Sequence, residues 1–323
     1  MIFAARTYLD FERPLAELDS KIDDLMSLQD KDDGVDVNKE ITQLRDKSDA
    51  QLANIYKNLG PWEKTQVARH PQRPHFSQYA QRLLTDYVPL SGDRKFGDDD
   101  ALLGGTANFR GQGVVVMGHE KGKNTESRLK HNFGMANPEG YRKAVRLMEL
   151  AERFSLPILS FVDTAGAYPG RGAEERGQAE AIARSIDAGL AARVPFVSLI
   201  TGEGGSGGAV AIATADHVMM LEHSIYSVIS PEGCASILWR DAARAQDAAK
   251  AMKITAQDLK RLGVIDEIVR EPLGGAHRDV QMAVNTAGDQ IEATLQRLGE
   301  MSAADLIAAR RAKFLNIGRS LLN

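Results

Sequence analysis

The chain has 323 residues, of which 43% are hydrophobic, and its 40 basic and 44 acidic residues give a formal charge of −4. This length predicts one large core, or one core with a small appended module, and the near balance of charge gives no support to a nucleic-acid-binding role. The single cysteine, Cys234, excludes an internal disulfide and a zinc site built from several cysteines, so we expect no metal in this chain.

Two segments near the N-terminus carry apolar residues at helical spacing. Between them, residues 31–36 are charged and contain a glycine, which predicts a turn. The pattern therefore predicts an antiparallel helical hairpin, whose narrow apolar seam is typical of a support or assembly role. The apolar positions are Leu15, Leu18, Ile22, Leu25 and Met26 in the first segment and Ile41, Leu44, Leu52, Ile55 and Leu59 in the second.

Prolines that begin at Pro61 mark a break after this hairpin. We therefore place the hairpin in residues 1–60, a catalytic domain in residues 61–270 and a C-terminal helical tail in residues 271–323. The tail is predicted to form polar helices, and it carries no recognisable catalytic or binding motif.

The first residues of the chain lack the basic start and apolar stretch of an export signal. No run approaches the roughly 18 apolar residues that a membrane span needs. We therefore expect a cytoplasmic protein that does not contact membranes.

Strands, glycine-rich loops and helices alternate from about residue 100 onward. Asn137 followed by Pro138 predicts a helix start, and Thr255 with Asp258 predicts a capping box. The alternation argues for an α/β architecture with mainly parallel strands, in which ligands bind where strands end. The predicted strands are residues 102–107, 113–118, 156–162, 194–200, 217–221 and 264–269, the loops are residues 110–113, 163–170 and 201–208, and the helices are residues 138–154, 174–191 and 209–215, with two more that begin after Ser230 and Thr255.

The glycine-rich stretch GEGGSGG at residues 202–208 matches two familiar patterns. Gly202, Gly204 and Gly207 fit the G-x-G-x-x-G pattern of dinucleotide-binding folds, and Glu222 stands twenty residues beyond the first of them. Such a fold needs several further strand and helix units, however, and only one clear predicted strand, residues 264–269, follows Glu222. The context therefore weakens the dinucleotide interpretation.

The same stretch fits G-x-S-x-G, with Ser206 in the place of a nucleophilic serine. A hydrolase of this kind needs an acid and a histidine later in the chain. His217, His223 and His277 are the candidates, but none has a recognisable motif around it. A serine hydrolase remains an alternative at this point.

A third interpretation gives the chemistry to the backbone. Glycines at a helix start leave N–H groups free to approach an oxygen closely, as an oxyanion hole requires. The competing interpretation is that they only permit tight packing of the helix on the sheet. The loop at residues 163–170 also follows a strand and offers amides at Gly166 and Ala167, so two such loops facing one cleft favour a site.

Several ordered motifs closely resemble the alpha subunits of bacterial acetyl-CoA carboxylase carboxyltransferases, and the resemblance covers nearly the whole chain. Ala136 and Ala165 stand where this family is expected to have proline, and neither change removes a backbone amide from the loops. The motifs are NFGMANPEGYRK at residues 132–143, DTAGAYPG at residues 163–170, AEERGQ at residues 173–178, GEGGSGGA at residues 202–209 and YSVISPEGC at residues 226–234.

The resemblance implies the crotonase fold, a ββα superhelix in which two backbone amides, one from each glycine loop, hold an enolate oxygen. Carried over, the first amide comes from Gly166 or Ala167 and the second from Gly207 or Gly208. The implied reaction moves a carboxyl group from carboxybiotin to acetyl-CoA, giving malonyl-CoA, or to another acyl-CoA. The other implied substrate-binding residues are Gly204, Gly205, Ser206, Tyr168, Pro169 and Gly233.

The resemblance also implies partners. A beta subunit with a cysteine-ligated zinc ribbon joins the chain in an α2β2 heterotetramer, and the lone Cys234 agrees with zinc lying in that partner. Biotin arrives on a separate biotin carboxyl carrier protein, biotin carboxylase is a further partner, and no covalently bound cofactor is expected here. A basic stretch either contacts CoA phosphates, contacts a subunit or is a solvated loop. Its members are Lys121, Lys123, Arg128 and Lys130.

Overall fold

A sheet of eight strands forms the centre of the structure, a computed structural model that describes residues 6–31 and 37–319. The strand order is β1-β2-β3-β4-β5-β6-β8, and β7 pairs with β5. Strands β1 to β3 are antiparallel and the remaining pairs are parallel, which confirms the predicted α/β architecture. The strands are β1 (Leu84–Pro89), β2 (Leu102–Phe109), β3 (Gln112–His119), β4 (Ile158–Thr164), β5 (Phe196–Gly205), β6 (His217–Leu221), β7 (Ile225–Ser227) and β8 (Glu267–Val269).

Helices surround this sheet, and several begin where the sequence predicts. The Ser230 and Thr255 side chains accept the N–H groups of Gly233 and Asp258 and so cap two of them. No helix in the described ranges is long and apolar enough to cross a membrane. The helices are α1 (Arg13–Lys31), α2 (Asn38–Lys57), α3 (Pro61–Ala68), α4 (Phe76–Leu83), α5 (Thr125–Lys130), α6 (Pro138–Phe154), α7 (Arg171–Glu175), α8 (Gln178–Ala191), α9 (Ser206–Ala213), α10 (Pro231–Trp239), α11 (Ala245–Met252), α12 (Ala256–Arg261), α13 (Val280–Gly299) and α14 (Ala303–Asn316).

Both faces of the sheet are covered. In β3, Val115 and Met117 lie in the core beneath α6, α8 and α9, whereas Val114 and Val116 lie in the core beneath α4 and α13. Side chains alternate between the two faces of a strand, so burial on both sides requires apolar residues at every position. This is why the central strands read as continuous apolar runs in the sequence.

Several predicted elements differ from the observed ones, and α9, for example, begins at Ser206 instead of residue 209. Strand β5 continues through Gly205, because residues 203–205 of the predicted loop pair with β7. The predicted helix at residues 174–191 is divided into α7 and α8 at Gly177, where φ is +80°. The tail is not simply polar, since α13 buries an apolar face against the sheet. That face includes Ala283, Val284, Ala287, Ile291 and Leu295.

Helices α1 and α2 form the predicted antiparallel hairpin, with Ser48 bonded to Asp19 along its seam; most of the predicted turn lies outside the described residues. At its base, Glu12 Oε1 accepts hydrogen bonds from Tyr56 Oη at 3.0 Å and from Arg278 at 2.9 Å. These bonds join the hairpin to the residues that precede α13. The domain boundaries at 60 and 270 remain predictions.

Arg310 on α14 ties the C-terminal helix to the sheet. Its buried guanidinium donates to both oxygens of Asp216, at 2.9 and 2.7 Å, and to the carbonyls of Gly189 and Ala192. Asp216 Oδ2 in turn accepts the N–H of Phe196, the first residue of β5. One ion pair therefore joins α14, the end of α8 and the start of β5.

We expect Arg310→Ala to lower the free energy of unfolding by about 3 to 5 kcal/mol, because it leaves the Asp216 charge buried without its partner. Urea denaturation of the full chain measures this difference. The neighbouring exposed Arg311 provides the control, and Arg311→Ala should change the free energy by no more than about 0.5 kcal/mol. Equal unfolding midpoints for the two variants would contradict this account of α14.

Candidate functional site

Two backbone segments meet at one edge of the sheet. The first loop, residues 165–170, follows β4. The glycine segment, residues 202–208, forms the end of β5 and the start of α9. Because β4 and β5 are parallel neighbours, their carboxyl ends lie at the same edge, where α/β folds bind ligands.

The two segments touch through their backbones. A Cβ atom added to Gly205 would overlap the carbonyl oxygen of Ala165, and one added to Gly208 would lie 2.7 Å from the carbonyl carbon of Gly166 and 2.8 Å from the nitrogen of Ala167. Only glycine permits such an approach. Gly205 and Gly208 thus permit tight packing, here of the glycine segment against the first loop. This packing brings the predicted amides of both segments together.

The amides differ in their bonding. Gly166 N–H donates to Thr164 Oγ1 at 3.1 Å, whereas no acceptor for the Ala167 N–H is found among residues 6–31 and 37–319. Helix α9 has Gly205 at its N-cap, without a side-chain cap, so the N–H groups of Gly207 and Gly208 lack partners within the helix. They also lie at the positive end of the helix dipole. The structure therefore favours Ala167 over Gly166 as the free donor of the first loop.

The arrangement can stabilise negative charge on a bound oxygen. Ala167 and Gly207 are half-buried, and Gly208 is buried against the first loop. Backbone N–H groups that are held in place and partly shielded from water stabilise a developing oxyanion without reorganising during the reaction. The assignment of this role to particular amides remains a prediction.

The other predicted substrate-binding residues divide into two groups. Gly204 packs against the Tyr226 ring, and Gly233 N–H is used in capping α10. Ser206, Pro169 and Tyr168 lie at the surface or half-buried. The main chain of Tyr168 is fixed, because its N–H donates to the carbonyl of Ala136 and its carbonyl accepts from Gln178. The second group is therefore better placed to meet a ligand.

The structure does not assemble the serine hydrolase considered above. Ser206 is exposed and has φ +50°, but its three candidate histidines lie elsewhere. His217 bonds Glu267, His277 stacks on His70 with ring centres 3.8 Å apart, and His223 packs against Tyr56. Within the described residues, no histidine hydrogen-bonds Ser206.

The dinucleotide interpretation is not favoured either. Dinucleotides bind at the crevice where the strand order of an open sheet reverses. From β1 to β6 the strand order simply follows the chain, so the glycine segment does not lie at such a reversal. The carboxylate of Glu222, the proposed ribose partner, instead accepts the N–H of Glu271 at 3.3 Å.

The basic stretch is only partly free to meet an anion. Lys121 Nζ lies 2.6 Å from Asp163, and Lys130 lies 3.8 Å from Asp100. Lys123 and Arg128 have no ion-pair partner in the part of the chain that the structure describes. A contact with CoA phosphates remains a prediction, and these two side chains are the better candidates for it.

The whole chain matches one protein family. A family model described as acetyl co-enzyme A carboxylase carboxyltransferase-like matches residues 8–318. Two relatives named acetyl-coenzyme A carboxylase carboxyl transferase subunit alpha come from Azorhizobium caulinodans and Xanthobacter autotrophicus. They are 61% and 62% identical over 316 residues, which cover 98% of this chain and 100% of each relative.

The fold is also similar to more distant solved structures. A Pseudomonas malonate decarboxylase hetero-tetramer in complex with coenzyme A gives a TM-score of 0.59 at 16% identity, covering 76% of this chain and 97% of that one. Transcarboxylase 12S with methylmalonyl-coenzyme A bound gives 0.57 at 18% identity, covering 70% and 42%. At this identity the likeness concerns the fold alone, and it confirms the predicted crotonase-like architecture.

A buried polar cluster beside the first loop was missed from the sequence. Asp163 contacts Lys121 and His75, and these residues line a cavity of about 240 Å³ next to Ala165. His119 lies nearby, wholly buried at the end of β3. The residues of this cluster come from positions between 75 and 163 and share no local motif. The only sequence signal for the cluster is Asp163, an acidic residue directly after a predicted strand.

Burial lowers the pKa of His119 to about 3, and the nearby Asp163 charge offsets this only in part. The unfolded chain, in which histidine has a pKa of about 6.5, therefore takes up a proton that the folded chain does not. This contribution to stability is complete above about pH 6.5 and is lost as the pH falls toward 3.

We expect the free energy of unfolding to fall between pH 7 and pH 5, and His119→Gln to show a weaker fall. Each such histidine contributes up to about 1.4 kcal/mol per pH unit below 6.5. Urea denaturation of both proteins at the two pH values measures the difference. The same pH dependence in both would show that His119 is not held neutral by burial.

Proposed function

The chain belongs to the acetyl-CoA carboxylase carboxyltransferase alpha-subunit family, and we propose that it transfers the carboxyl group of carboxybiotin to acetyl-CoA to give malonyl-CoA. The observation that carries this proposal is the identity of 61% and 62% with alpha subunits along 98% of the chain. The two amide-bearing segments at one sheet edge supply the chemistry that such a reaction needs.

Carboxybiotin is a substrate delivered by a separate carrier protein. When its carboxyl group leaves as CO2, the C–N bond breaks and its electron pair becomes negative charge on the ureido oxygen. We assign the donation to that oxygen to the amides at the start of α9, which lack partners within the helix, together with Ala167 N–H. The positive end of the α9 dipole adds to the stabilisation.

The biotin enolate then removes a proton from the methyl group of acetyl-CoA. The acetyl-CoA carbanion attacks CO2 and forms the new C–C bond of malonyl-CoA. The thioester enolate needs its own donors, which we assign to the partner subunit. Because biotin itself takes the proton, the reaction needs no side-chain base. This agrees with the observation that, among the described residues, the three candidate histidines contact partners other than Ser206.

Membership of an alpha-subunit family implies a partner subunit. We propose that the partner is a beta subunit with a cysteine-ligated zinc ribbon, that the assembly is an α2β2 heterotetramer, and that biotin carboxyl carrier protein and biotin carboxylase complete the system. The hetero-tetrameric malonate decarboxylase, which has a similar fold, supports a multi-subunit arrangement. A cytoplasmic location and the absence of a covalently bound cofactor in this chain are part of the same proposal.

Reconstitution tests the proposed function. We expect the purified chain alone to form no malonyl-CoA, and to form it when the beta subunit, carboxylated carrier protein and acetyl-CoA are added, because this chain holds only one part of the site. Liquid chromatography of the CoA esters gives the rate. Full activity of the chain alone would contradict the proposed division of the site.

The contact between Gly208 and the first loop gives a sharper test. In Gly208→Ala the new methyl group would lie within 2.8 Å of the Gly166 and Ala167 backbone, so the amides must move apart. We expect kcat of the assembled enzyme to fall by about 100-fold or more. Gly207→Ala is the matched control, because its methyl group meets only the Ile182 side chain, at 3.4 Å, and most of the activity should remain.

Ser206→Ala separates this mechanism from a serine hydrolase, since alanine keeps the amide and removes the hydroxyl. A substantial share of carboxyl transfer should remain, and a fluorophosphonate probe should leave the wild type unlabelled. Normal turnover in assembled Gly208→Ala, or labelling of Ser206 with loss of activity in Ser206→Ala, would contradict the backbone-amide mechanism.

A further inference from the structure

The pairing of β4 with β5 is interrupted just before the amide-bearing segments. The two strands pair regularly up to Val162 with Ile200, but the next pair is Thr164 with Gly204. Two steps along β4 therefore correspond to four along β5, which forms a bulge at residues 201–203. Bulges break the regular backbone ladder and leave N–H groups that need other acceptors.

The Asp163 side chain supplies the acceptor that the bulge lacks. Its Oδ1 accepts the Glu203 N–H at 2.9 Å and lies 2.6 Å from Lys121 Nζ. The fit is close, since a Cβ atom on Gly202 would lie 2.5 Å from the same oxygen. Because Asp163 is 2% exposed, water does not replace this acceptor easily.

The carboxylate is held in its charged form. Burial by itself would raise the pKa of Asp163, but the Lys121 charge and the His75 ring, whose Nδ1 lies 3.4 Å from Oδ2, outweigh burial and hold the pKa well below its ordinary value. A charged acceptor makes a stronger hydrogen bond to the Glu203 amide than a neutral one. The contacts of Asp163 with the Glu203 N–H and with Lys121 therefore form an ionic joint between β4 and β5.

The side chain of Glu203 is held in place as well as its main chain. Its carboxylate accepts two bonds from Arg69, at 2.6 and 3.0 Å, and Arg69 also bonds Glu232 in the first turn of α10 at 2.6 Å. The main chain of Glu203 is thus bound to Asp163 and its side chain to Arg69. These bonds fix the residue that directly precedes the glycines of the site.

This joint lies very near the amides that it supports. Asp163 is two residues before Ala165, which touches Gly205, and four residues before Ala167. Glu203 is five residues before Gly208 in the chain. Catalysis depends steeply on the placement of donor groups, and an error of about 1 Å can lower a rate by about 100-fold. A shift at the joint would therefore change the separation of the two sets of amides.

We propose that Asp163 is a positioning residue for carboxyl transfer, which holds the Ala167 amide and the Gly207 and Gly208 amides at a fixed separation through its bonds to Glu203 N–H and Lys121. The inference rests on the proposed function, because those amides are the proposed donors to the ureido oxygen. Asp163 needs no contact with substrate in this role.

Two substitutions test this role in the reconstituted complex. Asp163→Ala removes the acceptor, and kcat should fall by about 100-fold with the KM for acetyl-CoA changed by less than about threefold. Asp163→Asn keeps an oxygen that can accept the Glu203 N–H, so it should retain more of kcat, with a fall of about 10-fold. A lower kcat with a nearly unchanged KM, partly rescued by asparagine, is the result that a shift of the amides predicts.

Asp216 is the matched control at the opposite end of β5. Its side chain is 4% exposed, against 3% for Asp163, it pairs with Arg310, and it accepts the N–H of Phe196 at 2.8 Å. The alanine and asparagine variants at 216 should lower the melting temperature about as much as those at 163. Their kcat in the assembled enzyme should be unchanged.

The outcomes separate the hypotheses. Normal kcat in assembled Asp163→Ala, or an equal fall of kcat in the variants at 163 and 216, would overturn the positioning role. If Asp163→Ala does not assemble, the comparison of Asp163→Asn with Asp216→Asn decides. A fall of kcat in Asp163→Asn alone supports the positioning role, and an unchanged kcat in Asp163→Asn overturns it. A wild-type complex that forms no malonyl-CoA would instead contradict the proposed function.

Discussion

The site depends on one steric contact, the direct approach of two backbone segments at the carboxyl edge of β4 and β5. Gly205 lies against the Ala165 carbonyl and Gly208 against the Gly166–Ala167 peptide, at distances that leave no space for a side chain. Most other features of this edge maintain that contact. The α8 and α9 helices pack behind it, and the ionic joint at Asp163 fixes the strand ends that lead into it.

In the proposed function, this contact assigns the chemistry to the main chain. Carboxyl transfer from biotin needs stabilisation of negative charge on oxygen, and biotin itself accepts the proton. Amides held by a helix start and a packed loop meet that need, because they are oriented before the substrate arrives. The titratable groups near the site are bound to one another instead, as in the pairs of Asp163 with Lys121 and Glu203 with Arg69. We propose that their role is to hold the backbone.

The sequence predicts the elements better than their junctions. Local signals suffice for the helix starts at Pro138 and after Ser230 and for the first glycine loop, because capping and turn chemistry depend on neighbouring residues. The extension of β5 depends on pairing with β7, some twenty residues away, and no local pattern encodes it. The joint at Asp163 likewise unites distant positions, so the sequence indicates the amides of the site but not the ionic network that holds them.

The most direct test of the account is a crystal structure of the assembled enzyme with biotin bound. We expect the ureido oxygen to lie about 2.7 to 3.1 Å from backbone nitrogens of the first loop and of the start of α9. We also expect that no side chain of this chain replaces these nitrogens. A ureido oxygen held by the Ser206 hydroxyl or by a histidine, away from these amides, would contradict the central claim.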